Sequence, residues 1–349
     1  MEKINYLNEV MFLLLGSITM SIILSQISLS VAPLFGLIDI PGSENHKSHS
    51  KSIPITGGIV LIMTVTTIAV FGNLWGDGPI SNILICVLII GGFGVADDLI
   101  SLSPLVKLLG QLIASFLLIY HGIQVNIFSS SDFILSTGTV FDEILNLGCS
   151  VFWLVTITNA FNFIDSSDGL SIGIGGVASI FFLFISITTD QVLIVHICTL
   201  LLGVCIGLYF YNAFPARLFL GDCGSQSVGF LLASIAMLYK PVTGIQSSSW
   251  FVPILLFYVP LLDITLVIYS RLRRGKKIYK ASKDHTYHRL INVGISPQRS
   301  VLILHGLSLL MSIVGYLCLN LSIINANFVF ILSLVLGIFI IYKLDNNYA

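Results

Sequence analysis

Charge is what this chain is short of: Asp, Glu, Lys and Arg make up 9% of its 349 residues, while 56% are hydrophobic. So little polar surface cannot cover a soluble core, and with a mean hydropathy of +0.98 the sequence reads as an all-α, polytopic membrane protein. Paired cysteine motifs are missing too. The six cysteines (Cys86, Cys149, Cys198, Cys205, Cys223, Cys318) lie mostly inside apolar runs, so they point to small buried hydrophobes, not a disulfide framework or a zinc site. No fixed-period repeat and no Pro-rich, Gly/Ser-rich or acidic linker divides the chain, which predicts one membrane domain over 1–349. The first apolar run also lacks the marks of a cleavable leader. Glu2 and Glu9 replace a basic start, the run is long, and no small-x-small site follows, so it is expected to be retained.

What is there is a succession of apolar stretches. They run roughly Val10–Leu34, Ile55–Trp75, Ile80–Ala96, Val106–Ile123, Leu145–Phe163, Ile172–Thr188, Val192–Tyr211, Val228–Leu238, Trp250–Tyr269, Ser300–Leu321 and Ala326–Tyr342. They predict about 10–11 transmembrane helices. Lys47, Lys51, Lys107, Arg217, Arg271, Arg273, Arg274, Lys276, Lys277, Lys280, Lys283, Arg289 and Arg299 fall in or beside every second link, and the intervening links hold only Lys240. The positive-inside rule then predicts a multi-pass protein of the cell membrane with its N-terminus outside and Lys343 inside. The longest polar insertion, 271–299, becomes a cytoplasmic basic and histidine loop. The links Ser129–Asp142 and Pro241–Ser249 are expected outside, with no chemistry assigned.

Five aspartates stand where apolar runs give way to polar links on the predicted cytoplasmic face: Asp97 and Asp98 in GGFGVADDL, Asp165 and Asp168 in NFIDSSDGL, and Asp222 in FLGDCGS. Ionised carboxylates beside lipid are costly, so several near span ends suggest a cation site at the membrane surface. Adjacent residues on a helix diverge by about 100°, so Asp97 and Asp98 cannot both face one metal. One is expected toward a metal or reacting oxygen, the other toward Lys107 or a neighbouring helix. Asn159, Asn162, Asp165 and Asp168 recur every third residue, a polar stripe able to line a cavity or bond between helices. Glycines flank Asp222 and would let backbone approach a phosphate. His285 and His288 share a face if their segment is helical, and their basic surroundings favour an anionic ligand. Asp263, inside a span, is either functional or paired with a neighbouring helix.

Taken together, these motifs resemble the polyprenyl-phosphate N-acetylhexosamine-1-phosphate transferases, glycosyltransferase family 4. This family includes the undecaprenyl-phosphate GlcNAc-1-phosphate transferases that start O-antigen (lipopolysaccharide) and wall teichoic acid synthesis, and the phospho-MurNAc-pentapeptide translocase of cell wall biogenesis. The likeness runs from Leu37 to Leu290: LIDIP, HKSH and PITGG in the first link, then DDLISLSPLVKLLGQ, NAFNFIDSSDGL, FLGDCGS, the Pro260-x-x-Asp263 pair and the histidine loop, in family order. The resemblance implies transfer of sugar-1-phosphate from a UDP-N-acetylhexosamine to undecaprenyl phosphate, with UMP released and Mg²⁺ required, Mn²⁺ being an alternative. It implies Asp222 as first metal ligand with Asp165 beside it, Asp97 as base or lipid-phosphate orienter, and Asp98 as its partner. Asn159, Asn162, Asp165 and Asp168 would position nucleotide-sugar and metal; His285, His288 and Arg289 would contact the donor; Lys47, His49 and Lys107 would attract phosphate. Membrane lipid is an expected partner, nucleic acid is not, and a homodimer is left open.

Three departures narrow the donor. Tyr287 stands where the family's histidine loop often has a further imidazole, the run of three histidines typical of the peptidoglycan translocase is absent, and Asp165-Ser-Ser-Asp168-Gly169 keeps both acids of Asp-Gly-Leu-Asp-Gly while losing its first glycine. UDP-GlcNAc is the first expectation and a 6-deoxy N-acetyl sugar the second. A polytopic lipid or sugar transporter, or a non-catalytic assembly subunit, are the rival classes; a transporter would more often show internal repeats and helices broken near the midplane.

Overall fold

The computed structural model describes residues 2–40, 52–76, 78–128, 139–240, 250–277 and 284–346. The chain is helical almost throughout: α1 (Glu2–Val31), α2 (Gly57–Phe71), α3 (Pro79–Ile100), α4 (Pro104–Tyr120), α5 (Val140–Ile164), α6 (Leu170–Thr188), α7 (Val192–Asn212), α8 (Gly221–Leu238), the short α9 (Val252–Leu256), α10 (Tyr258–Arg273), α11 (Thr286–Asn292), α12 (Pro297–Cys318) and α13 (Ile323–Asn346). Among the described residues, seven helices are long and apolar enough to cross a membrane: α1 with its following turn, α3, α5, α6, α7, α12 and α13. α2 and α4 are shorter apolar helices. Every expected apolar stretch falls on a helix, with α9 and α10 sharing the ninth. Large side chains such as Leu105, Ile324 and Ile338 stand more than half exposed; on a helical bundle whose backbone is internally bonded, lipid is the solvent that accepts such a surface.

α8 sits inside this bundle, packed on α2, α3, α5 and α6, and it is buried without a break from Cys223 to Ile235. Glycine makes that closeness attainable. A Cβ on Gly58 would come 2.2 Å from Gly224 N, and one on Gly94 would come 2.3 Å from Cys223 Cα, so the starts of α2 and α8 and the end of α3 are in backbone contact. Small residues serve helix association of this kind in membranes, where no hydrophobic force drives helices together.

Two features depart from a purely helical reading. β1 (Ile38–Asp39) pairs antiparallel with β2 (Ile53–Pro54), and Ile55 bridges in parallel to Phe219. Phe219 N donates to Pro54 O, and Gly57 N and Gly58 N donate to Phe219 O and Leu220 O. The link before α2 is thereby stitched to the segment that enters α8. Second, helix ends lie beyond the apolar runs: α3 continues through Asp97 and Asp98, and α8 already begins at Gly221. Hydropathy marks where lipid contact stops, whereas a helix continues as long as its backbone bonds are satisfied.

The predicted loops are only partly visible. Val140–Asp142 belong to α5, whereas 129–138 and 241–249 lie outside the described residues, as do Lys47 and His49.

Candidate active site

Asp222 occupies the first turn of α8, after Gly221 in the left-handed region at φ 72°. The first N–H groups of a helix have no partner within it. Asp98, reaching across from α3, supplies one: its Oδ1 accepts from Asp222 N at 2.9 Å and its Oδ2 from Cys223 N at 3.2 Å. This carboxylate caps a helix that begins 123 residues later in sequence, 98 against 221, and so fixes where the Asp222 side chain starts. The glycines around Asp222 serve this junction. Gly224 packs on Gly58, and Gly221 leaves room for Asp98, whose Oδ2 would lie 2.8 Å from an added Cβ. The expectation that they open the backbone to a phosphate gives way to helix packing.

The Asp222 carboxylate is shared by three helices. Lys107 Nζ, from the first turns of α4, lies 2.6 Å from Asp222 Oδ2 and 2.5 Å from Asp97 Oδ2. Asn162 Nδ2, near the end of α5, donates to Asp222 Oδ1 at 3.1 Å and to Ser225 Oγ at 3.0 Å. Gln226 Nε2 donates to Asp222 Oδ2 at 3.3 Å and its own carbonyl accepts from Gln111 at 3.0 Å. Gln111 and Asn159 complete a reciprocal amide pair, at 2.8 and 3.3 Å. Asp97 Oδ1 accepts from Leu102 N at 2.7 Å, closing the turn between α3 and α4 and aiming Lys107. Asp97 and Asp98 diverge as helix geometry requires, but both take partners that were expected of only one of them: Asp97 bonds Lys107 and Asp98 a neighbouring helix.

Asp165 and Asp168 lie in the link between α5 and α6. Asp168 Oδ2 accepts from Ala216 N at 2.9 Å, tying that link to the segment before α8. Part of Asp165 reaches solvent, but protein atoms surround it closely; this burial holds its carboxyl well above the ordinary carboxylate range, and the charges of Asp222, Asp98 and Asp168 push the same way. Five acids with Lys107 thus form an anionic, half-open site.

The histidine segment borders this site. His285 Nδ1 lies 2.9 Å from Asp263 Oδ2, and Thr286 N donates to Asp263 Oδ1 at 2.6 Å. The buried Asp263 thus orients His285 and caps α11. The His285 ring meets Phe163, the neighbour of Asn162, edge-on at 5.8 Å, and its centroid is 5.9 Å from that of His288. Tyr287 and His288 meet edge-on at 5.2 Å.

Arg289 departs from its expected role. It is 1% exposed, and its guanidinium bonds to Asp284 O, Leu344 O and Asp345 Oδ1 at 2.7, 3.2 and 3.0 Å. It ties the histidine segment to α13, which is a structural task in place of the donor contact. Sequence reasoning missed Asp345, which lies outside the 271–299 insertion. It missed Gln111, Gln226 and Ser225 as well; the spacing Asp222-x-x-Ser225-Gln226 on one helix was the signal available.

Similarity to known proteins points one way. A model of Glycosyl transferase family 4 matches residues 80–240. The chain is 30% identical over 299 residues, 84% of its own length and 80% of the other's, to a probable undecaprenyl-phosphate N-acetylglucosaminyl 1-phosphate transferase of Bacillus subtilis (strain 168). It is 28% identical over 286 residues, 74% of this chain and 71% of the relative, to a decaprenyl-phosphate N-acetylglucosaminephosphotransferase of Mycobacterium leprae. A phospho-N-acetylmuramoyl-pentapeptide-transferase of Clostridium beijerinckii is 27% identical over 299 residues, 79% of this chain and 86% of the relative. With its acidic motifs assembled around one helix start and this similarity spread over most of its length, the chain belongs to glycosyltransferase family 4, the polyprenyl-phosphate N-acetylhexosamine-1-phosphate transferases.

Proposed function

We propose that the protein transfers N-acetylhexosamine-1-phosphate, GlcNAc-1-phosphate first, from a UDP-sugar to undecaprenyl phosphate at the cytoplasmic face of the cell membrane, starting a lipid-linked envelope glycan. The observation that carries this reading is the meeting of Asp97, Lys107, Asn162 and Asp222, drawn from three motifs far apart in sequence, beside a histidine segment oriented by Asp263. Relatives named for transfer of N-acetylglucosamine phosphate to polyprenyl phosphates support the same reaction class.

In this reaction an oxygen of the lipid phosphate forms a bond to the sugar-bearing phosphorus of the donor, the bond from that phosphorus to the bridging oxygen breaks, and UMP leaves with the electron pair. Two anions must approach, so the protein's part is positioning and charge compensation. Lys107 would draw the lipid phosphate in, exchanging a carboxylate for a phosphate oxygen, while Asp97 would orient it. Asn162, itself held by Ser225, fixes the Asp222 carboxylate. His285 and His288 would face the donor's phosphates and sugar, with Tyr287 against the sugar.

Among the described residues no three His, Cys, Asp or Glu side chains gather closely enough to hold a metal by themselves. The donor set suits Mg²⁺ nonetheless, since that ion commonly takes one or two carboxylates with substrate phosphates and water completing its shell. Asp222 and Asp165 would hold it, and when bound it supplies neutralisation of charge on the pyrophosphate.

The test is purified protein in detergent, given undecaprenyl phosphate and a panel of UDP-N-acetyl sugars, with UMP release measured with and without EDTA. UMP formed only when donor, lipid and divalent cation are all present supports the reading. Absence of UMP with every donor overturns it in favour of a transporter or an assembly subunit, and full activity in EDTA overturns the metal assignment.

A further inference from the structure

The proposed chemistry leaves unused a set of arginines and the acid that gathers them. Asp345, in the last turn of α13, is 1% exposed, and three guanidinium groups converge on its carboxylate. Arg273 Nη2 lies 2.8 Å from Oδ2, Arg274 Nη2 3.2 Å from Oδ1 and Arg289 Nη1 3.0 Å from Oδ1. Arg289 continues the chain, its Nε donating to Asp284 O at 2.7 Å. Arg271 forks onto the Asp284 carboxylate through Nε and Nη2, both at 2.9 Å. His285 follows Asp284 directly and rests on Phe163, beside the asparagine that holds Asp222. Charge-assisted bonds therefore run from α13 to Asp284, and the next residue, His285, carries the connection to the rim of the acidic site by its ring contact with Phe163. Three arginines exceed what neutralising one carboxylate requires, but they suit a junction that must fix two segments against a third. Arg273 and Arg274 come from the end of α10, Arg289 from α11, and a planar guanidinium holds a carboxylate in a defined direction.

We infer that Asp345 is a positioning residue: by gathering α10 and α11 onto one carboxylate it sets where His285 and His288 stand relative to Asn162 and Asp222, and thereby sets donor affinity without touching substrate. This rests on the proposed transferase reading for its kinetic readout and is independent of it for its structural one.

The full-length protein in detergent carrying Asp345→Asn is compared with the unmodified chain in two measurements: steady-state kinetics with UDP-GlcNAc and undecaprenyl phosphate, and amide hydrogen exchange across 284–292. The donor KM is expected to rise about tenfold, the scale of coupling within one ion-pair network, with kcat and the lipid KM held within about twofold. Exchange should quicken in 284–292 and stay unchanged in α5 and α8. Arg273→Gln removes only the partly exposed arm and should move both readouts the same way by less, so the test survives if Asp345→Asn does not fold. Unchanged donor KM and unchanged exchange overturn the inference. So does a parallel loss in kcat and both KM values with faster exchange throughout, because Asp345 would then hold the whole fold and not the histidines. If the unmodified protein turns over no UDP-sugar, the transferase reading fails while the exchange comparison still decides the role of Asp345.

Discussion

Around Asp222, the carboxylates of Asp97, Asp98, Asp165 and Asp168 are gathered with Lys107 as the cation in contact; around Asp284 and Asp345, four arginines (Arg271, Arg273, Arg274, Arg289) face two acids. The first group is half-open and short of positive charge: the Lys107 side chain keeps 29% of its surface and Asp222 keeps 26%. The second is closed, with Asp345, Arg289, Arg271 and Asp284 all below a tenth exposed. The contrast teaches what each can do. A partly exposed cluster short of cations is the one of the two open to charge from outside. The buried pairs Arg271–Asp284 and Arg289–Asp345 of the second group instead resist displacement, since removing either partner strands a charge.

Breaking the closed cluster should have the largest effect, and it should appear as stability. Arg271→Ala removes the fork facing the buried Asp284 carboxylate and is expected to cost about 3–5 kcal/mol. Thermal inactivation in detergent should show a clear loss of Tm, and an unchanged Tm would make this pair dispensable.

In the open cluster the same kind of change should appear as turnover. Asp222→Asn keeps the shape and its bond from Asn162 in reach, so the fold should persist while UMP release falls by at least about a hundredfold, as when a principal electrostatic stabiliser is removed. Equal activity in this variant would move the centre of the chemistry elsewhere.

Asp98 sharpens the comparison because it stands in the open cluster yet is spent on backbone. Asp98→Ala removes the side chain that caps α8, which by the usual value of a helix cap should cost about 1–2 kcal/mol of stability. Turnover should fall through displaced Asp222, by less than in Asp222→Asn. A variant as inactive as Asp222→Asn with unchanged Tm would assign Asp98 a direct part in the reaction.

The smallest expected effect is on donor choice. Tyr287 packs against His288 and offers one hydroxyl on an apolar ring. Tyr287→His should change the ratio of kcat/KM between UDP-GlcNAc and a 6-deoxy donor by several-fold, within the roughly 10–200-fold that one small group difference can carry, whereas His288→Ala should weaken both. An identical effect of Tyr287→His on every donor would leave Tyr287 a structural part of the segment.

How much of this was legible in the sequence differs from residue to residue. Asp222, Asp97 and Lys107 were found because an acid or lysine at the end of an apolar run is rare whatever the fold. Asn159 and Asn162 were found by helical spacing, although only Asn162 touches Asp222; Asn159, one turn deeper, pairs with Gln111. Arg289 was misread because a basic residue in a basic loop carries no sign of a partner 56 residues away, the separation to Asp345. Gln226 offered only its spacing from Asp222 on one helix, and Gln111 gave no signal, since a lone amide in an apolar helix bonds to whatever packing brings near it.

Hydropathy, charge bias and spacing are local properties, so by themselves they determined that this chain is a membrane-spanning helical bundle and that its acids cluster at the ends of particular helices. Only the tertiary structure decided which atoms meet. The backbone contact of Gly58 and Gly94 with α8 sets the distance at which Asp98 can cap that helix. The crossing of α4 and α5 then decides that Lys107 and Asn162 share one carboxylate, and the docking of α13 decides that Asp345 holds three arginines. Each of these depends on side chains from separate helices arriving within about 3 Å of one another, the range in which a hydrogen bond forms, and no single segment encodes that approach.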